Sequence, residues 1–362
     1  MSGTSGDGVD ASLLISNGKD YYESIKDKYY EYDDKIYSSI HLLKEKINEK
    51  KDLIKLAKEI SELERKITLF HAKIIKDFKN QTSECIIGFH GQTIYHNSNE
   101  KISYQLGDAN LLFQLSQRKI ISNFRKNDLL NGGEGAPLTP LFHQLIVSQN
   151  KFNLPLCILN IGGISNVTII NESTGSENFF SKDIGPGNCL IDQWVRKNSS
   201  KKYDLNGNLA SSGEINEIIL EQAQELHTNR VIKKKSLDVG DFDISFARGL
   251  SLKDGARTLT DFTASLIGDE LTKSINLINN SIKNIYLCGG GRKNKILIEN
   301  IKQYLPPSIK LRMIDDFKIN GDFIESQAFA FLAIRSYLNL PITFPNTTGC
   351  KKPCSGGELI DS

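Results

Sequence analysis

No stretch of this chain approaches the roughly 18 consecutive apolar residues of a membrane-crossing helix. Nor does it open on a basic segment followed by an apolar one. Neither a transmembrane helix nor a secretory signal is expected. A charge excess is missing too: 45 Lys+Arg face 43 Asp+Glu, a net charge of +2. A dedicated nucleic-acid binder would carry a concentrated basic face. The lysine clusters at 50–51 and 233–235 read as solvated surface. The six cysteines (Cys85, Cys157, Cys189, Cys288, Cys350, Cys354) are scattered and do not complete a zinc set. Four lie in or beside apolar runs as small buried hydrophobes; Cys350 and Cys354 are expected as free thiols. A reducing cytoplasm is the expected compartment. Two nucleotide signatures are also absent. No Gly-Lys-Ser/Thr completes a Walker loop, and no Gly-x-Gly-x-x-Gly stands between a strand and a helix.

What is present is a 362-residue chain, 39% apolar and 24% charged, comfortable for two domains with full cores. It opens on Met1-Ser-Gly-Thr-Ser-Gly-Asp-Gly-Val-Asp10, followed by an apolar run to Ile15. Glycines let backbone N–H groups approach an anion closely, and small hydroxyls add donors. Asp7 and Asp10 repel phosphate unless a divalent cation stands between, usually through water. The combination suggests a metal–triphosphate site on a strand–turn–strand. A plain Gly/Ser hairpin stays open as the alternative. With only Met1 ahead of Ser2, weak pairing of that opening strand is expected.

Residues 18–39 read as strand and loop. From 40 to 79, Ile54, Ala57, Ile60, Leu63, Ile67, Phe70, Ile74 and Phe78 recur at helical steps and predict a core-facing stripe. Cys85–Ile94 reads as a buried strand entering a polar turn, with His90, Gln92 and His96 as ligand candidates. The glycine-rich loop 128–138 is the expected domain boundary, before a helix from Pro140. Leu156–Ile170 is strand–turn–strand again, with Gly162, Gly163, Ser165 and Asn166 at its turn. Next, an apolar segment ends in Asp183, Gly185-Pro186-Gly187 forces a turn, and Asn188 is placed to cap a helix bearing Leu190, Ile191 and Trp194. An Asp held there suits acid–base work; capping is its bland alternative. Residues 254–279 predict an amphipathic helix. Ile285–Asn294 reads as a buried strand running into the triple glycine Gly289, Gly290, Gly291, which fits backbone against a flat ligand such as a purine. A last helix is expected over 322–338, with Glu325 near its start.

Read together, these stretches resemble the anhydro-N-acetylmuramic acid kinase family. The resemblance rests on Ser2-Gly-Thr-Ser-x-Asp-Gly-x-Asp10, His90-Gly-Gln-Thr-Ile94, Phe124-Arg-x-x-Asp128 and Gly132-Gly-x-Gly-Ala-Pro-Leu138. It continues through Asn160-Ile-Gly-Gly-Ile-Ser-Asn166, Asp183-Ile-Gly-Pro-Gly-Asn188, Cys288-Gly-Gly-Gly-Arg292, Glu325-Ser-Gln-Ala-Phe-Ala330 and Thr347-Thr-Gly349. These motifs run in the family's order over nearly the whole chain. The resemblance implies an α/β fold of the actin/hexokinase/Hsp70 ATPase type (ribonuclease H-like), with two domains hinged around a nucleotide cleft. The first would be 1–132, completed by about 330–362, and the second 133–329. It implies ATP held by Gly3, Thr4, Ser5, Gly6, Asp7, Gly8, Val9, Asp10, Gly162, Gly163, Gly289, Gly290 and Gly291. Magnesium would sit at Asp7 and Asp10, the catalytic base at Asp183, and the sugar at His90, Gln92 and Glu325. A cytoplasmic homodimer without nucleic-acid or membrane partners is implied as well.

One departure stands out. The family usually has Lys-Ser-Thr-Gly-Arg before the helix near 250, whereas this chain has Lys235-Ser-Leu-Asp-Val-Gly-Asp-Phe242, which puts contacts from that loop in doubt. The implied activity is opening of the 1,6-anhydro bridge of anhydro-N-acetylmuramic acid with phosphorylation of O6. A kinase for another amino sugar and a non-catalytic ATP-binding protein of the same fold are the alternatives.

Overall fold

The opening stretch folds back on itself. Asp10 N–H donates to Met1 O at 2.9 Å and Gly6 N–H to Gly3 O at 3.1 Å. The second arm continues as β1 (Gly8–Ser16), paired antiparallel with β2 (Tyr22–Glu31). Ser2 adds one parallel bridge, to Gln92. The computed structural model describes residues 1–78, 85–172, 178–228, 237–276 and 282–361. Of these, 1–152, 178–179 and 323–361 form one unit, and 153–172, 180–228, 237–276 and 282–322 form a second. The loop 128–138 and the helix after it lie in the first.

In the first unit, helix begins earlier than the sequence pattern suggests. Asp33 accepts from Ile36 N at 2.8 Å and starts α1 (Asp34–Lys46), an N-cap that offsets an orphan donor. After α2 (Lys50–Lys55), the chain kinks at Leu56 into α3 (Ala57–Phe78). That kink breaks the register of the expected stripe: Ile54 is 76% exposed, and Leu53 and Leu56 pack on the core instead. From Ile60 onward the stripe holds, burying Ile60, Leu63, Ile67 and Ile74. Short strands β3 (Ile87–Gly88), β4 (Gln92–Asn97) and β5 (Ile102–Leu106) precede α4 (Ala109–Ser116), β6 (Ile120–Ser122), α5 (Lys126–Leu130) and α6 (Pro140–Gln149). β6 is flanked by β3 in parallel and by β12 (Glu358–Ile360) antiparallel. α11 (Ile324–Tyr337) closes this unit.

The second unit is built on a five-stranded sheet in the order β11-β10-β7-β8-β9. β7 (Leu156–Ile161) and β8 (Ile164–Ile170) form the expected hairpin. β10 (Asn284–Cys288) lies parallel to both β7 and β11 (Lys310–Met313). β9 (Phe179–Pro186) runs past Asp183, so that residue lies within a strand rather than at its end. Helices α7 (Cys189–Asn198), α8 (Glu217–Thr228), α9 (Leu252–Asn276) and α10 (Lys295–Gln303) complete the unit. α9 is buried along consecutive positions such as Thr258, Leu259 and Thr260 and again from Phe262 to Gly268. It is an interior helix, with packing on several faces, rather than an amphipathic one. The expected extension of that helix to 277–279 lies outside the described residues, as do the lysines 233–235. None of the six cysteines is in a disulfide, and all but Cys85 are buried.

Candidate active site

In the first unit the opening turn is tied down from both sides. Ser5 Oγ donates to Asp7 Oδ1 at 2.5 Å. The Tyr29 hydroxyl also bonds Asp7 and lies over Gly8, where a Cβ would come within 2.6 Å of it. Burial, then the charges of Asp7 and Glu31, push the Tyr29 phenol up, so it stays a protonated donor. Lys44 Nζ donates to Thr4 O at 2.8 Å. Val9 is buried in the core, so only its backbone could reach a ligand. Beneath the turn, fully buried Gln92 donates from Nε2 to Gly3 O at 3.0 Å and accepts from Ser2 Oγ at 2.6 Å. Gln92 is thereby joined directly to the opening turn.

His90 is tied elsewhere. Its Nδ1 lies 2.9 Å from Gly91 O and its Nε2 3.1 Å from Arg125 Nη2. A guanidinium can only donate, so Nε2 accepts and Nδ1 carries the proton. Burial, followed by the Arg125 charge, holds this imidazole well below its ordinary value. The ring packs against Phe329 at a tilt of 49°, with centroids 4.4 Å apart. Arg125 Nη1 donates to Gly135 O at 2.8 Å, and Gly135 N–H donates to Asp128 Oδ2 at 2.7 Å. A Cβ on Gly133 would fall 2.1 Å from the same carboxylate oxygen, so only glycine lets the loop close over Asp128. His96, the third ligand candidate of that turn, sits on β4 with Nδ1 2.9 Å from Ser103 Oγ.

Glu325 occupies the first turn of α11. Beside it, Ser326 Oγ meets Ser12 Oγ at 2.6 Å, and Ser12 donates to Asp27 at 2.5 Å. Gln327 Nε2 donates to the other Asp27 oxygen at 2.9 Å. This network fixes the start of α11 against β1 and β2.

In the second unit the two glycine turns come together. Gly187 N–H donates to Gly163 O and Asn188 N–H to Gly162 O, each at 2.8 Å. The start of α7 thus stands on the hairpin turn. Asn188 is its N-cap residue but makes no side-chain capping bond, contrary to the sequence expectation. Gly290 faces the Asn188 amide, with an added Cβ 4.0 Å from Nδ2. Gly289 has φ +78°, and a Cβ there would lie 2.5 Å from Asn160 Oδ1. Arg292 clamps the same turn. It donates to Asp315 through Nε at 2.8 Å and Nη2 at 2.7 Å, and through Nη1 to Asp322 at 2.6 Å and to Gly289 O at 2.8 Å. Asp183 Oδ2 accepts from Leu237 N–H at 2.8 Å. That donor belongs to the altered loop. Because it is a backbone group, the loop's changed side chains leave the contact in place. Residues 235 and 236 of the loop lie outside the described residues.

Several of these partners were not singled out from the sequence. Tyr29, Asp315 and Asp322 gave no local signal, because their partners are distant in the chain. Arg125, Asp128, Arg292 and Thr348 stand in the family motifs, yet their roles needed coordinates.

Each of the two α/β units carries glycine turns with hydroxyls and carboxylates nearby, an arrangement that suits a phosphotransferase using ATP. Comparison with known proteins makes this specific. A family model described as anhydro-N-acetylmuramic acid kinase matches residues 1–361, and the chain belongs to that family. It is 54% identical over 363 residues to the anhydro-N-acetylmuramic acid kinase of Pelagibacter ubique, covering 99% of this chain and 96% of that one. The Zymomonas mobilis and Brucella canis proteins of the same name are each 35% identical over 99% of this chain, with 98% and 97% of their own lengths covered. Among solved structures, the activator of the 2-hydroxyisocaproyl-CoA dehydratase from Clostridium difficile with bound ADPNP gives a TM-score of 0.33 at 11% identity, over 63% of this chain and 71% of that one. That likeness is too slight to carry the fold. The protein is a kinase that uses ATP. Among the described residues no helix is long and apolar enough to cross a membrane.

Proposed function

We propose that this kinase takes 1,6-anhydro-N-acetylmuramic acid, ATP and water to N-acetylmuramic acid 6-phosphate and ADP, in cell-wall recycling in the cytoplasm. Asp183 acts as the base. It accepts a proton from water as the water oxygen bonds to the anomeric carbon. The bond from that carbon to the bridge oxygen breaks, and its electron pair stays on O6. O6 then bonds to the γ-phosphorus, and the bond to ADP breaks. The observation that carries this reading is Asp183 itself, kept in its family motif and oriented on β9 by the Leu237 N–H at 2.8 Å. Orientation of the base is worth as much as its basicity.

From the first unit, the turn Gly3–Asp10 would hold phosphate, and His90, Gln92 and Glu325 would serve the sugar. Gln92 would act from beneath the opening turn, where its amide is bonded. From the second unit, Gly162, Gly163 and Gly289–Gly291 would hold the nucleotide. Magnesium, which neutralises phosphate charge when bound, would be held by Asp7 and Asp10. Among the described residues no group of three or more His, Cys, Asp or Glu could hold a metal by itself. Two carboxylates suit an ion that keeps its waters and binds mainly through phosphates. A homodimer is the proposed assembly.

A mass-spectrometric screen of amino sugars with ATP and magnesium tests the reaction. The anhydro sugar should gain water plus one phosphoryl group. Phosphorylation of another amino sugar alone would move the reading to a different substrate, and no transfer to any sugar would remove the proposed reaction.

A further inference from the structure

The first unit holds a cavity lined in part by two side chains, His71 and Ser116, that the proposed chemistry does not use. Among the described residues, ladders join β1 to β2 and β3 to β6, and none joins β1 to β3. A space of about 170 Å³ opens between them, walled by α3, α4 and the β1 residues Val9–Leu13. Its walls are mostly apolar and include Ala72, Ile74, Phe89 and Leu112. Asp10, Ser12, Lys76, Arg118 and Ser326 interrupt them, and so do two further polar side chains that are buried. His71 is 5% exposed, and its Nε2 has no hydrogen-bond partner among the described residues. Ser116 Oγ is buried and equally without a partner there. Both residues line the cavity.

Buried polar atoms are nearly always bonded, and an orphan costs the desolvation of its group. Two orphans lining one cavity, one from α3 and one from the end of α4, therefore mark a place where something else completes the bonding. An apolar cavity of about 150 Å³ is large enough for a benzene-sized molecule. We propose that this cavity binds a small, uncharged molecule with an apolar ring-sized body and one hydroxyl group, the hydroxyl bonding His71 Nε2 and Ser116 Oγ. Burial holds His71 down to about 3, so its ring is neutral near pH 7 and offers no charge to an anion. The hydroxyl can donate to one atom and accept from the other, which a pure hydrocarbon cannot. An occupant would also rest against β1, the strand that carries Asp10. The site does not depend on the identity of the sugar substrate.

Phenol and benzene are the probes, applied to the full-length protein. Saturating phenol should raise Tm by about 2–4 °C, and phenol should bind about threefold to tenfold tighter than benzene, as one net hydrogen bond allows. His71→Phe should erase that preference, and Ala72→Leu, which fills the cavity, should abolish binding of both. Equal phenol binding by Ala72→Leu would overturn the proposal. So would a phenol-soaked crystal with water alone at His71 and Ser116. If Ala72→Leu does not fold, competition between the two probes on the unmodified protein by saturation-transfer NMR decides. No phenol signal at millimolar concentration, or no preference over benzene, would refute the site.

Discussion

Thr348 donates its hydroxyl to Asp128 Oδ1 at 2.6 Å across 220 residues of chain. The second oxygen of that carboxylate takes Gly135 N–H, and Asp128 itself is 1% exposed. One buried carboxyl group therefore joins α5, the glycine loop and the C-terminal segment. Asp128→Ala would strand two buried donors. A loss of about 3–5 kcal/mol follows from removing one partner of such a network, with Asp128→Asn losing less. Urea denaturation measures both, and a loss below about 1 kcal/mol would show that water replaces the carboxylate.

Asp183→Asn keeps an acceptor for Leu237 N–H but cannot take a proton from water. It should bind ATP and the anhydro sugar and turn over at least about a hundredfold more slowly. Pre-steady-state phosphorylation measured alongside ATP binding gives both readouts. Near-normal turnover would shift the base to Glu325.

Burial holds His71 and His143 at about 3 and His90 well below its ordinary value. The unfolded chain, titrating near 6.5, takes up these protons first as pH falls. Stability should thus be level above pH 7 and decline between about 6.5 and 5, by up to about 1.4 kcal/mol per pH unit for each histidine. Tm measured across that range in wild type and His143→Gln checks the slope; an unchanged slope in the variant would show that His143 is not held neutral.

Arg292→Ala removes the clamp on Gly289. The loss should be about 2–3 kcal/mol, less than for a fully buried pair, because Asp315 and Asp322 are 40% and 33% exposed. If the triple-glycine turn holds nucleotide, KM for ATP should rise more than kcat falls. Steady-state kinetics with varied ATP separates the two, and an unchanged KM would detach this turn from ATP.

An isologous pair is the commonest soluble assembly, and the family resemblance points the same way. Light scattering at micromolar concentration should return twice the chain mass of 40.5 kDa. A monomer mass would end the dimer proposal.

Local sequence chemistry settled the hairpin of β7 and β8, the buried strand before the triple glycine, and the lower half of α3. Glycine, hydroxyl and periodic apolar residues constrain the backbone within a few positions of themselves, so their order alone identified the family. Tertiary structure decided what those residues touch. The kink at Leu56 turned Ile54 to solvent, and Asn188 was tied to the hairpin through its own N–H rather than capping α7 with its side chain. Asp183 proved to lie inside β9, oriented by a backbone donor from the loop that lacks the family's Lys-Ser-Thr-Gly-Arg run. Tyr29 reached Asp7, and Thr348 reached Asp128, only through folding. Hydrogen-bond partners separated by tens or hundreds of residues leave no periodicity in the chain, because the energy that selects them exists only after the segments have packed.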